Sequence, residues 1–269
     1  MTGSVAYTWT LAPVPFALGA LAAALFAHGF VRLRRRGRAR DAGWGRAVLF
    51  GLALAAGVLP LVSPLDGVAD DYLLSAHMVE HLLIGDVAPL LATLAVRGPL
   101  VFFLLPAGVL GPLARVAWLR ASLGFLLRPK VAFVLWCVAI AAWHVPAAYD
   151  YTLSHAHVHD LEHATFVLTG TLVWAQLVDP ARRRELTDAG RLFYAWGLFA
   201  VAHLATHPIL FDNVAHYGPY ARQPVRLLGL SPLADQHWAG GVMTIEQLLV
   251  FGALTAVLVP RIPRPVSAA

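Results

Sequence analysis

Apolar runs near twenty residues recur along the whole chain, and this feature constrains the fold more than any other. A helix that crosses the hydrocarbon core of a bilayer needs about 20 mostly apolar residues. Seven stretches meet that condition, at about residues 13–31, 46–62, 73–96, 131–145, 161–178, 192–210 and 240–259. They use about half of the 269 residues and leave only short connections. The expected fold class is therefore all-α, a single helical membrane domain over residues 1–269 with seven transmembrane helices. Only 13% of residues are charged, against about 25% in a soluble domain, which excludes a soluble globule. Residues 100–127 depart from the pattern, because Pro106, Gly108, Gly111 and Pro112 interrupt an apolar start and Arg115, Arg120 and Arg128 follow. This segment is expected to lie at the interface as a helix, or to re-enter as a hairpin.

Orientation follows from the positive charges. With the N-terminus outside, the cytoplasmic connections hold 18 of the 20 Lys and Arg residues, leaving Arg222 and Arg226 on the other side. Short loops rich in Lys and Arg stay in the cytoplasm, so the chain reads as N-terminus outside and C-terminus cytoplasmic. The formal charge of +5 then reports membrane anchoring rather than nucleic-acid binding. Residues 1–11 carry no basic residue and the arginines follow the first apolar run, which argues against a cleaved signal peptide. A lone Cys137 excludes an internal disulfide and a cysteine-cluster metal site, and packs best as a small core hydrophobe.

The twelve histidines are the anomaly. In this topology eleven of them fall at the outer ends of helices, and only His28 is cytoplasmic. Ionisable groups at membrane depth are costly and mark function. His77 and His81 lie one helical turn apart, about 6 Å along the axis, on one face. His203 and His207 repeat the spacing, with Pro208 helping to stop that helix. His144 ends one span and His163 begins another. Met243 adds a thioether near the outer end of the last span, and a thioether beside imidazoles suits a soft ion such as Cu(I). These residues, His77, His81, His144, His163, His203, His207 and Met243, form the expected metal set. Glu80 and Glu246 are auxiliary, Glu80 as an acceptor that orients an imidazole. His155, His157 and His159, with a period of two, read as a solvated loop that gathers ions loosely. Asp86 is too deep and too far round the helix to be a ligand.

Copper is the favoured cargo, and two other chemistries compete with it. An intramembrane zinc hydrolase would use three histidines as ligands and Glu80 to activate a bound water. A haem protein would use two axial histidines from facing helices, such as His81 and His203. An ion or proton transporter needs more acidic groups at the midplane than this sequence supplies. The segment 211–238 is long enough to form an outer lid or a docking surface.

The ordered motifs Ser63-Pro64-Leu65-Asp66, His77-Met78-Val79-Glu80-His81 with Ala88-Pro89-Leu90-Leu91, and Trp143-His144-Val145-Pro146 with Tyr149-Asp150 resemble the CtaG family of bacterial cytochrome c oxidase assembly factors. The Leu161-Glu162-His163 run with Phe166, and Pro232-Leu233-Ala234-Asp235-Gln236 leading to Gly240 and Met243, extend the likeness over about residues 46–259. The resemblance implies a plasma-membrane protein of seven helices that is needed to make active oxidase and helps to deliver copper to its catalytic subunit. A site facing outward would exchange copper with an extracytoplasmic carrier, and the chain is expected not to be an enzyme. Glu80 stands where the family commonly carries glutamine, and Glu246 lies in a stretch commonly aromatic or proline. Two carboxylates favour Cu(II) or Zn(II) over Cu(I) alone.

Overall fold

The computed structural model describes residues 8–263, so Arg264 lies outside the described residues. Among the described residues all regular structure is helical. The chain runs α1 (Pro13–Arg35), α2 (Trp44–Val58), α3 (Pro64–Asp71), α4 (Leu74–Leu82), α5 (Ala88–Ala95), α6 (Ala107–Arg115) and α7 (Ala117–Leu126). It continues through α8 (Pro129–Trp143), α9 (Pro146–Thr152), α10 (Ala156–Leu177), α11 (Asp188–Phe211), α12 (Gly218–Arg222) and α13 (Pro232–Leu258).

Helix starts follow local chemistry. Proline occupies the first turn of α1, α3, α8, α9 and α13, where its missing N–H costs nothing. The hydroxyls of Ser63, Thr187 and Ser231 accept from the first-turn N–H groups of α3, α11 and α13. Pro146 also forces Val145 into an extended conformation, so α8 stops and α9 leaves at 81°.

Four helices are individually long and apolar enough to cross a membrane: Pro13–Arg35, Leu74–Ala95, Asp188–Phe211 and Pro232–Arg261. Counting each of two bent pairs as one span, α6 with α7 at 89° and α8 with α9, gives up to six. Of the seven expected spans, those at 46–62 and 161–178 do not reach that standard. The first is a helix of 15 residues, and α10 opens on a polar turn holding His157, His159, Asp160 and Glu162.

In lipid, apolar surface does not drive helices together, and close packing of small residues takes over. Gly240 of α13 lies against Leu210 of α11, where a Cβ would sit 2.8 Å from the Leu210 Cα. Gly170 of α10 lies so close to the Gly85 carbonyl that a Cβ there would collide with it. Between α4 and α5 the residues Leu83–Val87 form a π turn, and Gly170 is the residue that lets α10 approach that widened turn.

The two ends of the bundle differ in chemistry. At one end the basic connections meet, with Gly98 N–H donating to Pro180 O at 2.7 Å and the Arg46 guanidinium bonding the Ala95 and Arg97 carbonyls. Asp179 binds Arg191 and the Arg183 and Arg184 backbone N–H groups there. At the other end a buried cluster of Leu74, Met78, Tyr149, Ile209, Tyr217, Tyr220, Ala239 and Met243 surrounds the histidines.

Candidate metal centre

The candidate centre is built from two helices that carry the same short string. His77-Met78-Val79-Glu80-His81 on α4 and His159-Asp160-Leu161-Glu162-His163 on α10 both read H-x-x-E-H, and α4 and α10 present these turns to each other. The α4 turn is fixed by Asp235 from α13, whose carboxylate accepts from Leu74 N–H at 2.7 Å, Ser75 N–H at 3.1 Å and Ser75 Oγ at 2.5 Å. This satisfies orphan donors at the α4 N-terminus with a residue 161 positions away.

Four imidazole nitrogens converge. The Nε2 atoms of His77 and His81 are 2.9 Å apart, those of His77 and His159 3.2 Å, and those of His81 and His163 3.1 Å. All four ligand nitrogens lie within 4.8 Å of one another. A metal with nitrogen bonds of about 2.0–2.1 Å places tetrahedral ligand atoms about 3.4 Å apart. The neighbouring separations are within a few tenths of an ångström of that value, and a small closing movement brings in the rest.

Hydrogen bonds select the tautomer of His77. Tyr220 Oη donates to Ala69 O at 2.7 Å and accepts from His77 Nδ1–H at 2.9 Å, with Ala69 O a second acceptor at 3.3 Å. The proton on Nδ1 leaves the Nε2 lone pair facing the cluster. Tyr149 Oη lies 3.2 Å from Tyr220 Oη and extends the chain.

The carboxylates cross over between the motifs. Glu80 of the first lies 3.4 Å from His163 Nε2 of the second, and Glu162 of the second lies 3.9 Å from His81 Nδ1 of the first. Both carboxyl groups are fully buried and their oxygens lack hydrogen-bond partners. Unpaired buried carboxylates are costly, and a bound cation would offset that cost. Outside the spans, Asp70 of α3 lies 3.6 Å from His77 Nδ1 and 3.8 Å from His159 Nε2. Burial, reinforced by Asp71, raises the Asp70 carboxyl to about 6. Burial and the neighbouring Asp70 raise Asp66 to about 6 as well.

The other expected residues divide into three groups. His144, Met243 and Glu246 line a cavity beneath the cluster that His81 also lines. His203 and His207 stay outside the cluster, with His203 stacked on Phe199 and His207 exposed against Phe211. The 155–159 stretch is not a loop of period two. Helix α10 begins at Ala156, so His159 pairs with His163 one turn on and joins the cluster. His157 points into solvent, and His155 stacks on Tyr151 at the helix start. Tyr220, Tyr149, Glu162, Asp70 and Asp235 were not anticipated as site residues. The repeated H-x-x-E-H string was the available signal for Glu162 and His159, whereas Tyr220 and Asp235 reach the site only through tertiary contacts. Within segment 211–238, helix α12 carries Tyr220 over His77, and that part of the segment covers the site.

A family model described as the cytochrome c oxidase caa3 assembly factor, CtaG, matches residues 24–264. An uncharacterized protein of Mycobacterium bovis and another of Mycobacterium tuberculosis are each 30% identical to the chain over 264 residues. The alignment covers 93% of this chain but only 39% of either relative, so the chain spans well under half the length of the curated relatives it matches. No solved structure matches the chain. The match over residues 24–264 places the chain in the CtaG family of cytochrome c oxidase caa3 assembly factors.

Proposed function

We propose that this protein holds copper in an outward-facing site and passes it to the catalytic subunit of cytochrome c oxidase, acting as an assembly factor rather than an enzyme. The convergence of four imidazole nitrogens from two H-x-x-E-H turns carries this reading. The proposed holding set is His77, His81, His159 and His163, with Glu80, Glu162 and Asp70 supplying compensating negative charge. Imidazole binds copper in both oxidation states. Transfer is ligand exchange: His159, in the first turn of α10, is the ligand placed to release first. An extracytoplasmic carrier donates the ion and the oxidase subunit accepts it. In this reading the chain is one domain of the bacterial plasma membrane, with seven spans, the N-terminus outside and the C-terminus cytoplasmic. The gathering of basic loops at one end and histidines at the other supports that orientation.

The test is complementation in a host lacking the protein. Replacing His159 and His163 by Ala is expected to leave membrane levels of the protein unchanged while oxidase activity and oxidase copper fall together. Full oxidase activity in that variant would overturn the reading.

One observation favours a zinc hydrolase instead. H-x-x-E-H on a helix is also a zinc-hydrolase string, with the Glu as general base, and Glu80 lies 3.4 Å from a ligand nitrogen. Against it, four histidines fill a tetrahedral shell, whereas catalytic zinc keeps one position open. Zinc that survives dialysis, with turnover abolished by Glu80→Gln, would displace the copper reading. The haem alternative fits least well, because His203, the expected axial partner of His81, stands outside the cluster and stacks on Phe199.

A further inference from the structure

The cavity beneath the four-histidine cluster is not explained by that cluster. His81 lines both, and the cavity wall adds Met78 from α4, His144 from the end of α8, and Met243 and Gln247 from α13. Met78 and Met243 belong to one buried core cluster. His144 Nδ1–H donates to Ile140 O at 2.8 Å, which leaves Nε2 as the lone-pair nitrogen, and that atom is buried with no hydrogen-bond partner. Gln247 is only 6% exposed and its Oε1 is likewise unpartnered. Packing accounts for two buried methionines but not for an imidazole nitrogen held bare at membrane depth. A soft cation answers both, since thioether and neutral imidazole are its preferred donors. The backbone is also unusual here. The π turn at Leu83–Val87 widens the helix where Gly85 and Asp86 line the cavity, and π turns recur at functional sites. Asp86 accepts from Trp174 Nε1 and, with Glu246, places carboxyl groups on the cavity wall.

We propose that this cavity is a second metal site, selective for Cu(I), with Met78 Sδ, Met243 Sδ and His144 Nε2 as donors and His81 as the residue shared with the outer cluster. The proposal rests on the copper reading above and extends it: the ion moves from the imidazole cluster to the softer site as Cu(I), by exchange of ligands and with no electron transferred. His81 releases the ion from one set as the thioethers take it in the other. A carrier built this way binds broadly at its mouth and selects Cu(I) inside.

The test uses full-length protein purified in detergent and loaded anaerobically with Cu(I), reading copper per chain and the copper X-ray absorption spectrum. The wild type is expected to hold about two Cu(I), with sulfur in the coordination shell. Met78→Leu with Met243→Leu, a swap that nearly conserves volume, is expected to hold about one, bound by nitrogen alone. His159→Ala with His163→Ala is expected to hold about one and to keep the sulfur signal. A methionine variant with wild-type stoichiometry, and no sulfur signal in the wild type, would overturn the inner site and leave the outer one standing. Loss confined to the methionine variant would support the inner site and overturn the outer cluster instead. Thermal melts matching the wild type establish that each variant is folded.

Discussion

Removing the Tyr220 hydroxyl tests how the site is tuned. In Tyr220→Phe the His77 Nδ1–H loses its 2.9 Å acceptor, and Ala69 O loses its 2.7 Å donor. The two orphaned groups are 3.3 Å apart, so they can partly satisfy each other by a small rotation of the imidazole. That compensation sets the magnitude. Loss of a residue that orients a metal-binding His costs about 10–100-fold in affinity, and a surviving partner puts the expected loss near tenfold, about 1.4 kcal/mol. The cost to folding is about 1 kcal/mol, that of one net hydrogen bond. Tyr149→Phe is the internal control, because its hydroxyl contacts only the Tyr220 hydroxyl, at 3.2 Å, and less than a threefold loss is expected. Competition against a chromogenic Cu(I) chelator, with a thermal melt in parallel, measures both quantities. Tyr220→Phe within twofold of the wild type, or Tyr149→Phe weaker than Tyr220→Phe, would refute the reasoning.

Further outcomes follow from the same geometry. Asp235→Ala removes the cap on α4 and is expected to cost about 1–2 kcal/mol and to weaken metal binding together with stability, seen as matched shifts in melting temperature and chelator competition. Gly170→Ala forces α10 away from the π turn and is expected to destabilise by about 1–3 kcal/mol. Gly124→Ala, where a Cβ meets nothing within 4 Å, is expected to be neutral or stabilising by up to about 1 kcal/mol. Copper retention is expected to fall as the pH drops from about 7 to about 5. Asp66 and Asp70 are ionised only above about 6, so acidification removes negative charge beside His77 and His159. Asp70→Asn is expected to flatten that profile, and equilibrium dialysis across the range measures it.

Much of this arrangement was legible in the sequence, because spacing reports which residues share a helix face. It reported His77 with His81 correctly, and the apolar runs and Pro146 marked where helices lie and where α8 stops. Spacing does not report which face meets which. His203 and His207 have the same separation as His77 and His81, yet among the described residues no second pair of imidazoles faces them. His159 was hidden by its neighbours, since a period of two across His155, His157 and His159 masks the period of four from His159 to His163. The start of α10 at Ala156 resolves that ambiguity. Asp235 and Tyr220 were beyond reach of local reasoning, lying 161 and 143 residues from their α4 partners. The seven spans read from apolar runs compare with four individually sufficient helices, or up to six with the bent pairs. Apolar composition reports where a helix can enter the bilayer but not its length, and α2 is a helix of 15 residues.

The most direct measurement is elemental analysis of the detergent-purified protein, prepared oxidised and reduced, beside its His77→Ala/His163→Ala variant. The account predicts copper in the wild type, no stoichiometric iron, and loss of the histidine-held copper in a variant that still melts cooperatively. Unchanged copper in that variant, or zinc or haem iron in place of copper in the wild type, would contradict it.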